Sequence, residues 1–415
     1  MKTSNKISGW APFFAALLAF VTYFHVLSAF ADPMSDYCGH VYTYIPLLEE
    51  NPLKGGWMSI PYFLWHLHVL FLHRIMQVPV EISAALASGF FAVFSLFVTY
   101  TIIEKYTKAK SVTLSPFIMA AVAYLLSTIQ CIDLNWTDVG QGFSMNPIHN
   151  PTQMCVKPFS LICFCIVYDI FEKLRNEHHA GIFISTEKGL KKAYITLTIV
   201  LFLSGMAKPT FAEMFIPTVG LLMLYEGFRR LIAKEKAGAY WKELCKMFLC
   251  AVPVLLYILV QFLAYFVFGG SYGLEESSVV ITEWMQVWKI FSENIPASIL
   301  LTIGFPLWVI MIDGRFFLKD NFGRIALAGY GVGLLEAALL GEETKLGHGD
   351  FLWPMLSAVL ILWVVATLRF LVLCNRAEAT GFRKVLLQIG YFIFFAFAFW
   401  GTLELYPVVM DMVLP

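Results

Sequence analysis

The stretch WAPFFAALLAFVTYFHVLSAFA, residues 10–31, contains no Asp, Glu, Lys or Arg. As a helix rising about 1.5 Å per residue, it is long enough to cross the ~30 Å hydrocarbon core of a bilayer. The whole chain shares this character, because 59% of its 415 residues are hydrophobic, only 14% are charged and the mean hydropathy is +0.71. This composition predicts an all-α, polytopic membrane protein. The formal net charge of zero offers no basic surface to a nucleic-acid partner, and none is expected.

Further apolar runs of membrane length follow along the chain and predict about eleven transmembrane helices. No fixed-period repeat or low-complexity linker separates them, so we expect one integral-membrane domain, residues 1–415, with no separate soluble domain. The oligomeric state does not follow from these runs. They lie near residues 10–31, 82–103, 115–132, 158–173, 192–207, 210–228, 247–268, 296–312, 324–340, 351–373 and 386–403.

The distribution of basic residues predicts the orientation. If the N-terminus is cytoplasmic and the chain alternates between the two sides, all but six of the 29 Lys and Arg residues fall on the inner side. Such a bias is typical of cytoplasmic loops, so we expect a multi-pass protein with its C-terminus outside. The short N-terminus and compact loops favour a bacterial cytoplasmic membrane. The six outer basic residues are Lys54, Arg74, Lys157, Lys208, Lys289 and Lys345.

The stretch SIPYFLWHLHVLFLHRIMQVPVE, residues 59–81, is apolar but carries three histidines and Arg74. Counted as a full crossing, it would place the basic EKYTKAK cluster outside. We therefore predict an outer interfacial or re-entrant helix, with Trp65 and the histidines at the level of the lipid headgroups. The first outer loop then runs over residues 32–81. Further outer segments are 133–157, 269–295 and 341–351.

The first outer loop opens with DPMSDYCGH, residues 32–40. If helix continues outward from the first span, Asp32, Asp36 and His40 recur every four residues and share one face. Carboxylates at a membrane surface are suited to act as a general base toward a hydroxyl group. Helix capping explains the same residues, with Asp32 before Pro33 or Asp36 opening a new helix. Both interpretations stay open at this point.

Two Lys-Pro pairs stand at the predicted outer starts of spans, Lys157-Pro158 and Lys208-Pro209. Proline is well suited to the first helical position, and a helix N-terminus presents free N–H groups and the positive end of the helix dipole. Lysines beside two such termini predict a site for a phosphate or pyrophosphate. Each lysine is also explained as a side chain that snorkels toward water from a helix end.

The segment NPIHNPTQM, residues 146–154, has two Asn-Pro pairs around His149. Asn-Pro favours turns, which explains the pattern structurally. His149 and Asn150 also supply hydrogen-bond donors and acceptors suited to a sugar.

The last outer connection, LLGEETKLGHGDFLWPM, residues 339–355, is predicted as a short Gly-containing hairpin. It carries Lys345, His348 and Asp350 close to Trp353. These side chains suit a headgroup, a sugar or a metal, and solvated loop polarity explains part of the pattern.

This architecture resembles the GT-C class of integral-membrane glycosyltransferases, which take sugars from polyprenyl-phosphate carriers. The shared features are a first helix rising from the cytoplasm, an acidic start to the first outer loop, interfacial helices before the second span, and about eleven spans. The resemblance implies that DPMSDYCGH supplies the general base, with Asp36 first, Asp32 second and His40 as a neighbour. It also implies that Lys157, Lys208 and Lys345 hold the carrier phosphate. The adjacent acidic pair and the His-Pro-Pro-Leu signature of some members are absent.

The predicted function is therefore transfer of a sugar from a polyprenyl-phosphate carrier to an envelope glycan, lipid or protein on the outer face. The expected partners are this lipid-linked sugar and membrane lipids, with no resident cofactor and no metal. A polysaccharide polymerase or ligase is one alternative, although the outer segment 269–295 lacks the Arg and His that such proteins usually carry. A lipid or glycan transporter is another, although the spans are nearly free of charge at mid-depth, with Glu336 and Glu213 as the exceptions.

Overall fold

The computed structural model describes residues 9–33, 35–50, 62–128, 150–235, 238–263, 278–292, 294–343, 346, 350–375 and 381–413. Within these ranges the chain is almost entirely helical. Eight of the described helices are long and apolar enough to cross a membrane. An all-α protein with several membrane-type helices is therefore confirmed, while the count of about eleven spans and the orientation remain predictions.

The helices are numbered here in chain order. The first half of the chain forms α1 (Trp10–Ala29), α2 (Asp36–Gly39), α3 (Ile45–Glu50), α4 (Leu64–Leu70), α5 (Val80–Ala109), α6 (Pro116–Thr128), α7 (Pro151–Arg175) and α8 (Lys191–Ala207). The second half forms α9 (Thr210–Ile232), α10 (Gly238–Phe262), α11 (Gln286–Phe291), α12 (Ile295–Lys319), α13 (Asn321–Leu339), α14 (Trp353–Asn375) and α15 (Phe382–Val413). Short π-helices, His40–Tyr44 and Phe71–Ile75, extend α2 and α4.

Helices α7 and α14 form the centre of the bundle. In the apolar 18-residue stretch of each of these two helices, 94% is buried inside the protein. The corresponding values are 33% in α1 and 22% in α10. Helix α7 packs against α5, α8, α13 and α14, so few of its side chains reach the surface. Away from the exposed ends of these helices at Arg175 and Asn375, a polar side chain on α7 or α14 is therefore enclosed by protein.

The predicted first outer loop does not continue α1. The chain turns after Ala29, and a new helix begins at Asp36 with Ser35 as its N-cap, whose hydroxyl accepts a hydrogen bond from the Cys38 amide at 3.3 Å. The predicted shared face of Asp32, Asp36 and His40 is therefore wrong, because only the last two lie one turn apart on one helical segment. Asp36 opens this new helix, as one of the two capping interpretations predicted, although the N-cap itself is Ser35.

The helix within residues 59–81 is too short to cross a bilayer. Helix α4 has seven residues and the following π-helix has five, so together they rise at most about 18 Å. The Trp65 and His66 side chains are fully buried in the protein rather than exposed at its surface, and their depth relative to the headgroups stays a prediction. The indole N–H of Trp65 donates to the Ser88 hydroxyl at 3.1 Å, which ties α4 to α5.

The start of α7 differs from the prediction. The helix begins at Pro151, with Asn150 as the N-cap, because the Asn-Pro pair supplies both a capping side chain and a proline at the first position. Lys157 therefore lies nearly two turns inside the helix and Pro158 lies within it, so the predicted helix start at Lys157-Pro158 is wrong. Lys208 does lie at a helix junction, between the end of α8 and Pro209, the N-cap of α9.

Two segments predicted to be outer meet in a two-stranded antiparallel sheet, β1 (Val279–Ile281) and β2 (Leu340–Glu342). Residues 340–342 of the predicted hairpin pair with this distant segment, and residues 344, 345 and 347–349 lie outside the described residues. Gly341 sits in the middle of β2, opposite Val280, where a Cβ atom would come within 2.7 Å of the Thr282 side chain. Glycine is needed here for the close approach of the two segments.

Candidate functional site

Three distant parts of the chain meet at Asn150. Its side-chain amide donates from Nδ2 to Oδ2 of Asp36 at 2.8 Å, and its Oδ1 accepts from Nζ of Lys208 at 3.3 Å. The first outer loop, the start of α7 and the α8–α9 junction are joined by these two hydrogen bonds. A carboxylate and an ammonium group are thus held on opposite ends of one amide.

The amide of Asn150 has a defined orientation. Its Oδ1 also accepts from the Gln153 backbone N–H at 2.9 Å and from the Thr152 hydroxyl at 2.7 Å. A flipped amide would lose the bonds to the Gln153 N–H, to Lys208 and to the Asp36 carboxylate, because only the Thr152 hydroxyl can both donate and accept. The position of Asp36 relative to Lys208 is therefore set before any substrate binds.

Lys208 is buried rather than snorkelling. Its side chain is 4% exposed, and Nζ lies 3.8 Å from the centre of the Trp353 indole and 5.9 Å from the Tyr62 ring. Cation–π contacts of this kind stabilise an ammonium group by about 0.5–2 kcal/mol and are strongest on Trp. Snorkelling does not explain Lys208, and a role in binding an anion stays as the prediction.

Lys157 is also buried, at 5% exposed. Its Nζ atom makes no hydrogen bond within the described part of the chain, nor does it form an ion pair there. Enclosing an ammonium group without a partner costs several kcal/mol, so packing alone does not account for this lysine. A buried lysine amine with no partner among the described residues is a candidate for contact with a ligand.

A buried histidine pair lies beside the network. His40 follows Asp36 by one turn, and its Nδ1 is 3.0 Å from Nε2 of His66. Burial lowers the pKa of His66 to about 3. Burial, together with the charges of His66 and Lys208, lowers the pKa of His40 well below its ordinary value. Both rings are therefore neutral near pH 7. Each carries one N–H, and one of these forms the hydrogen bond between the two rings.

The two rings share one N–H···N hydrogen bond, whose proton lies on either Nδ1 of His40 or Nε2 of His66. The Tyr62 backbone lies beside His66 and opposes the effect of burial on the His66 pKa.

The pair predicts a dependence of stability on pH. Because the pKa of His66 is about 3 in the fold and about 6.5 when unfolded, the unfolded state binds more protons between these values. Its contribution to stability is fully present above about pH 6.5 and is lost as the pH falls toward 3. From pH 7 to pH 5 we expect His66 alone to lower the free energy of unfolding by about 2 kcal/mol.

Thermal unfolding at pH 7 and pH 5 tests this prediction. The His66→Gln protein should lose less stability than wild type over this range. The control His178→Gln, which changes an exposed histidine, should lose as much stability as wild type. Equal slopes in wild type and His66→Gln would contradict the assignment.

Other predicted site residues stand apart from the network or outside the described residues. Asp32 is exposed on the turn before α2. His149, Lys345 and His348 lie outside the described residues, as does the side chain of Asp350, whose backbone begins a short 3-10 helix, Asp350–Leu352. In the described ranges no three His, Cys, Asp or Glu side chains converge to hold a metal ion.

Several residues of the site were not predicted from the sequence. They are Tyr62, His66, Gln153, Trp353 and Ser357. The available signal was the spacing of Asn150, Gln153 and Lys157, which places three polar side chains on one face of an otherwise apolar helix. That spacing is informative only when the helix is known to begin at Pro151.

An open apolar groove lies on the same side of the molecule. Its volume is about 420 Å³, and its lining includes Leu67, Phe71 and Ile75 together with the Glu49–Arg74 ion pair. The exposed apolar side chains along α4 and its π-helix are suited to contact lipid.

No protein-family model matches the chain, and no curated protein is similar to it in sequence. The functional argument therefore rests on the geometry and chemistry of the site.

Proposed function

We propose that this protein is a membrane glycosyltransferase that moves a sugar from a polyprenyl-phosphate carrier to a hydroxyl-bearing acceptor in the cell envelope. The observation that supports this most is the Asp36–Asn150–Lys208 network. It holds a proton-accepting carboxylate near a buried ammonium group. A glycosyl transfer needs both, one for the attacking hydroxyl and one for the departing phosphate.

The proposed reaction is a direct displacement. Asp36 takes the proton of the acceptor hydroxyl as its oxygen forms a bond to the anomeric carbon of the sugar. The bond from that carbon to the phosphate oxygen breaks, and its electron pair stays on the phosphate. Lys208 and Lys157 stabilise the charge that develops there, while Asn150 keeps Asp36 and Lys208 in position. The products are a glycosylated acceptor and polyprenyl phosphate, with no cofactor and no metal in the scheme.

The lipid partners fit the surface of the first outer loop. The apolar groove along α4 offers a path for a prenyl or acyl chain, and exposed Arg74 is close to its mouth. In this proposal the network faces the outer side of a bacterial cytoplasmic membrane and the N-terminus is cytoplasmic, as the distribution of Lys and Arg predicts.

A lipid or glycan transporter is the second candidate. Helix α12 loses helical geometry at Ile303 and Asp313, and Asp313 pairs with Arg369 of α14. Interrupted helices with buried charges are common in transporters. Against this, Glu213 lies in the first turn of α9 and Glu336 near the end of α13, so these two carboxylates lie at helix ends rather than at mid-depth. A polysaccharide polymerase or ligase would use the same network with a pyrophosphate-linked glycan.

Reconstituted protein separates these functions. The protein in lipid vesicles would be given polyprenyl phosphates carrying a radiolabelled hexose or pentose, with an envelope extract as acceptor. We expect label in the acceptor and free polyprenyl phosphate in equal amounts, because one bond is exchanged for another. Movement of intact labelled lipid across the vesicle without bond cleavage would overturn the transferase and favour the transporter. Release of pyrophosphate-linked carrier with glycan extension would favour the polymerase.

A further inference from the structure

A polar seam runs between the two central helices, α7 and α14. On α7 it consists of Asn150, Gln153 and Lys157, which share one face. On α14 it includes Ser357, whose hydroxyl accepts a hydrogen bond from Nε2 of Gln153 at 3.3 Å. From Asn150 to Lys157 the seam descends about 10 Å into the bundle.

The upper end of the seam is continuous with the Asp36–Asn150–Lys208 network. Asn150 belongs to both, and Trp353, which stacks on the Lys208 ammonium, precedes Ser357 by one turn of α14. A molecule bound at the network therefore lies at the mouth of the seam.

Two polar atoms inside the seam have no hydrogen-bond partner among the described residues, Oε1 of Gln153 and Nζ of Lys157. Each residue is only 5% exposed. An unsatisfied buried amide oxygen costs about 1–3 kcal/mol and an unpaired ammonium costs more. Other polar groups on α7 are satisfied in place, as with the Ser160 hydroxyl, which donates to the Val156 carbonyl at 2.8 Å.

The two unsatisfied atoms have opposite requirements. Oε1 of Gln153 needs a hydrogen-bond donor, whereas Nζ of Lys157, one turn further along α7, needs an acceptor and is best satisfied by an anion. A phosphate diester supplies acceptors only. A sugar joined to a phosphate supplies both, because its hydroxyl groups donate and its phosphate oxygens accept.

We propose that the α7–α14 seam is the subsite that recognises the sugar of the donor, with Gln153 as the residue that reads a sugar hydroxyl. In this subsite Lys157 donates to a phosphate oxygen, and Oε1 of Gln153 accepts from a hydroxyl of the attached sugar. In the orientation found here, Nε2 of Gln153 donates to the Ser357 hydroxyl, and its oxygen is left for the ligand. This inference rests on the proposed function, since it names the part of the donor that the site distinguishes.

Binding measurements with two kinds of probe test the subsite. The probes are farnesyl phosphate and a set of farnesyl phosphates esterified to a hexose or a pentose, titrated into the full-length protein in lipid nanodiscs. We expect wild type to bind at least one sugar ester about tenfold or more tightly than farnesyl phosphate. Gln153→Met should lose that preference while binding farnesyl phosphate within about twofold of wild type. Lys157→Met should weaken both probes about tenfold or more, because both carry the phosphate. Ser160→Ala, a buried and satisfied hydroxyl on the same helix, is the matched control and should behave as wild type.

Two outcomes would overturn the subsite. One is equal binding of all probes to wild type, which would mean that the seam holds water only. The other is a Gln153→Met protein that keeps the wild-type preference. If Gln153→Met fails to fold, the isosteric Gln153→Glu replaces it, and its carboxylate should pair with Lys157 and weaken both probes. The binding and transfer measurements can also disagree. If wild type prefers a sugar ester and Gln153→Met loses that preference, but the wild-type protein shows no transfer activity in vesicles, the subsite is retained and the transferase is rejected.

Discussion

Asp36→Asn should reduce sugar transfer by about a hundredfold to ten-thousandfold, the range that a general base contributes. The substitution removes the proton acceptor but keeps the shape of the side chain. The Asn oxygen can still accept the Asn150 Nδ2–H that Oδ2 accepts now at 2.8 Å. We therefore expect the fold and donor binding to be preserved while turnover is lost. Initial rates with a labelled polyprenyl-phosphate sugar, together with the melting temperature of each protein, measure both effects.

Asp32→Asn is the comparison that separates the two candidate carboxylates. Asp32 is exposed on the turn before α2, whereas Asp36 is bonded to the residue that also holds Lys208. We expect Asp32→Asn to keep most of its activity. Equal turnover in the two variants would reject Asp36 as the base, whether both were active or both inactive.

Asp169→Ala should cause the largest loss of stability of any single change near the opposite end of α7. The Asp169 side chain is completely buried and accepts hydrogen bonds from the backbone N–H groups of Ile182, Phe183 and Ile184 at 2.6–2.8 Å. A further bond comes from Nε2 of His179 at 3.1 Å. This carboxylate organises the connection between α7 and α8, and its removal leaves several enclosed donors without an acceptor.

We expect Asp169→Ala to lower the free energy of unfolding by about 3–5 kcal/mol, as for other buried charges that lose their partners. Asp169→Asn should cost nearly as much, because its NH₂ group would face backbone donors. Hydrogen exchange of the amides at 182–184 and the melting temperature measure the local and global effects. Glu172→Gln, one turn further along α7, keeps an oxygen for the Asn321 amide and should cost less than about 1 kcal/mol. Normal protection of 182–184 in Asp169→Ala would contradict this role.

The helical membrane class was predictable because it depends on the length and composition of each apolar run, which are local properties. The short helix in residues 59–81 was also predictable, since His66, His68, His73 and Arg74 interrupt its apolar surface. Which of its side chains face the protein was not predictable. Trp65 and His66 carry polar atoms, yet they are buried because Ser88 and His40, distant in sequence, supply partners.

Several residues of the candidate site could be predicted from the sequence, but the way in which they contact one another could not. Asp36, Asn150 and Lys208 stand out from the sequence because each is a polar residue next to a long apolar run. The sequence also pointed to Lys157, but it was predicted to lie at the start of a helix because Lys157-Pro158 resembles one. The helix in fact starts at Asn150-Pro151, and Lys157 lies inside it. A proline within a helix is tolerated when neighbouring helices enclose it, and sequence alone does not reveal that enclosure.

The sequence by itself determined the class of protein and the approximate positions of its long helices, because hydrophobic length and charge act along the chain. Only the tertiary structure decided the pairing of Asp36 with Asn150 and Lys208, the burial of Lys157 and the contact of Gln153 with Ser357. The physical reason is that hydrogen bonds in a helical bundle join side chains far apart in sequence, here 114 residues for Asp36 and Asn150 and 204 for Gln153 and Ser357. Helix packing sets those contacts, and no local pattern encodes which faces will meet.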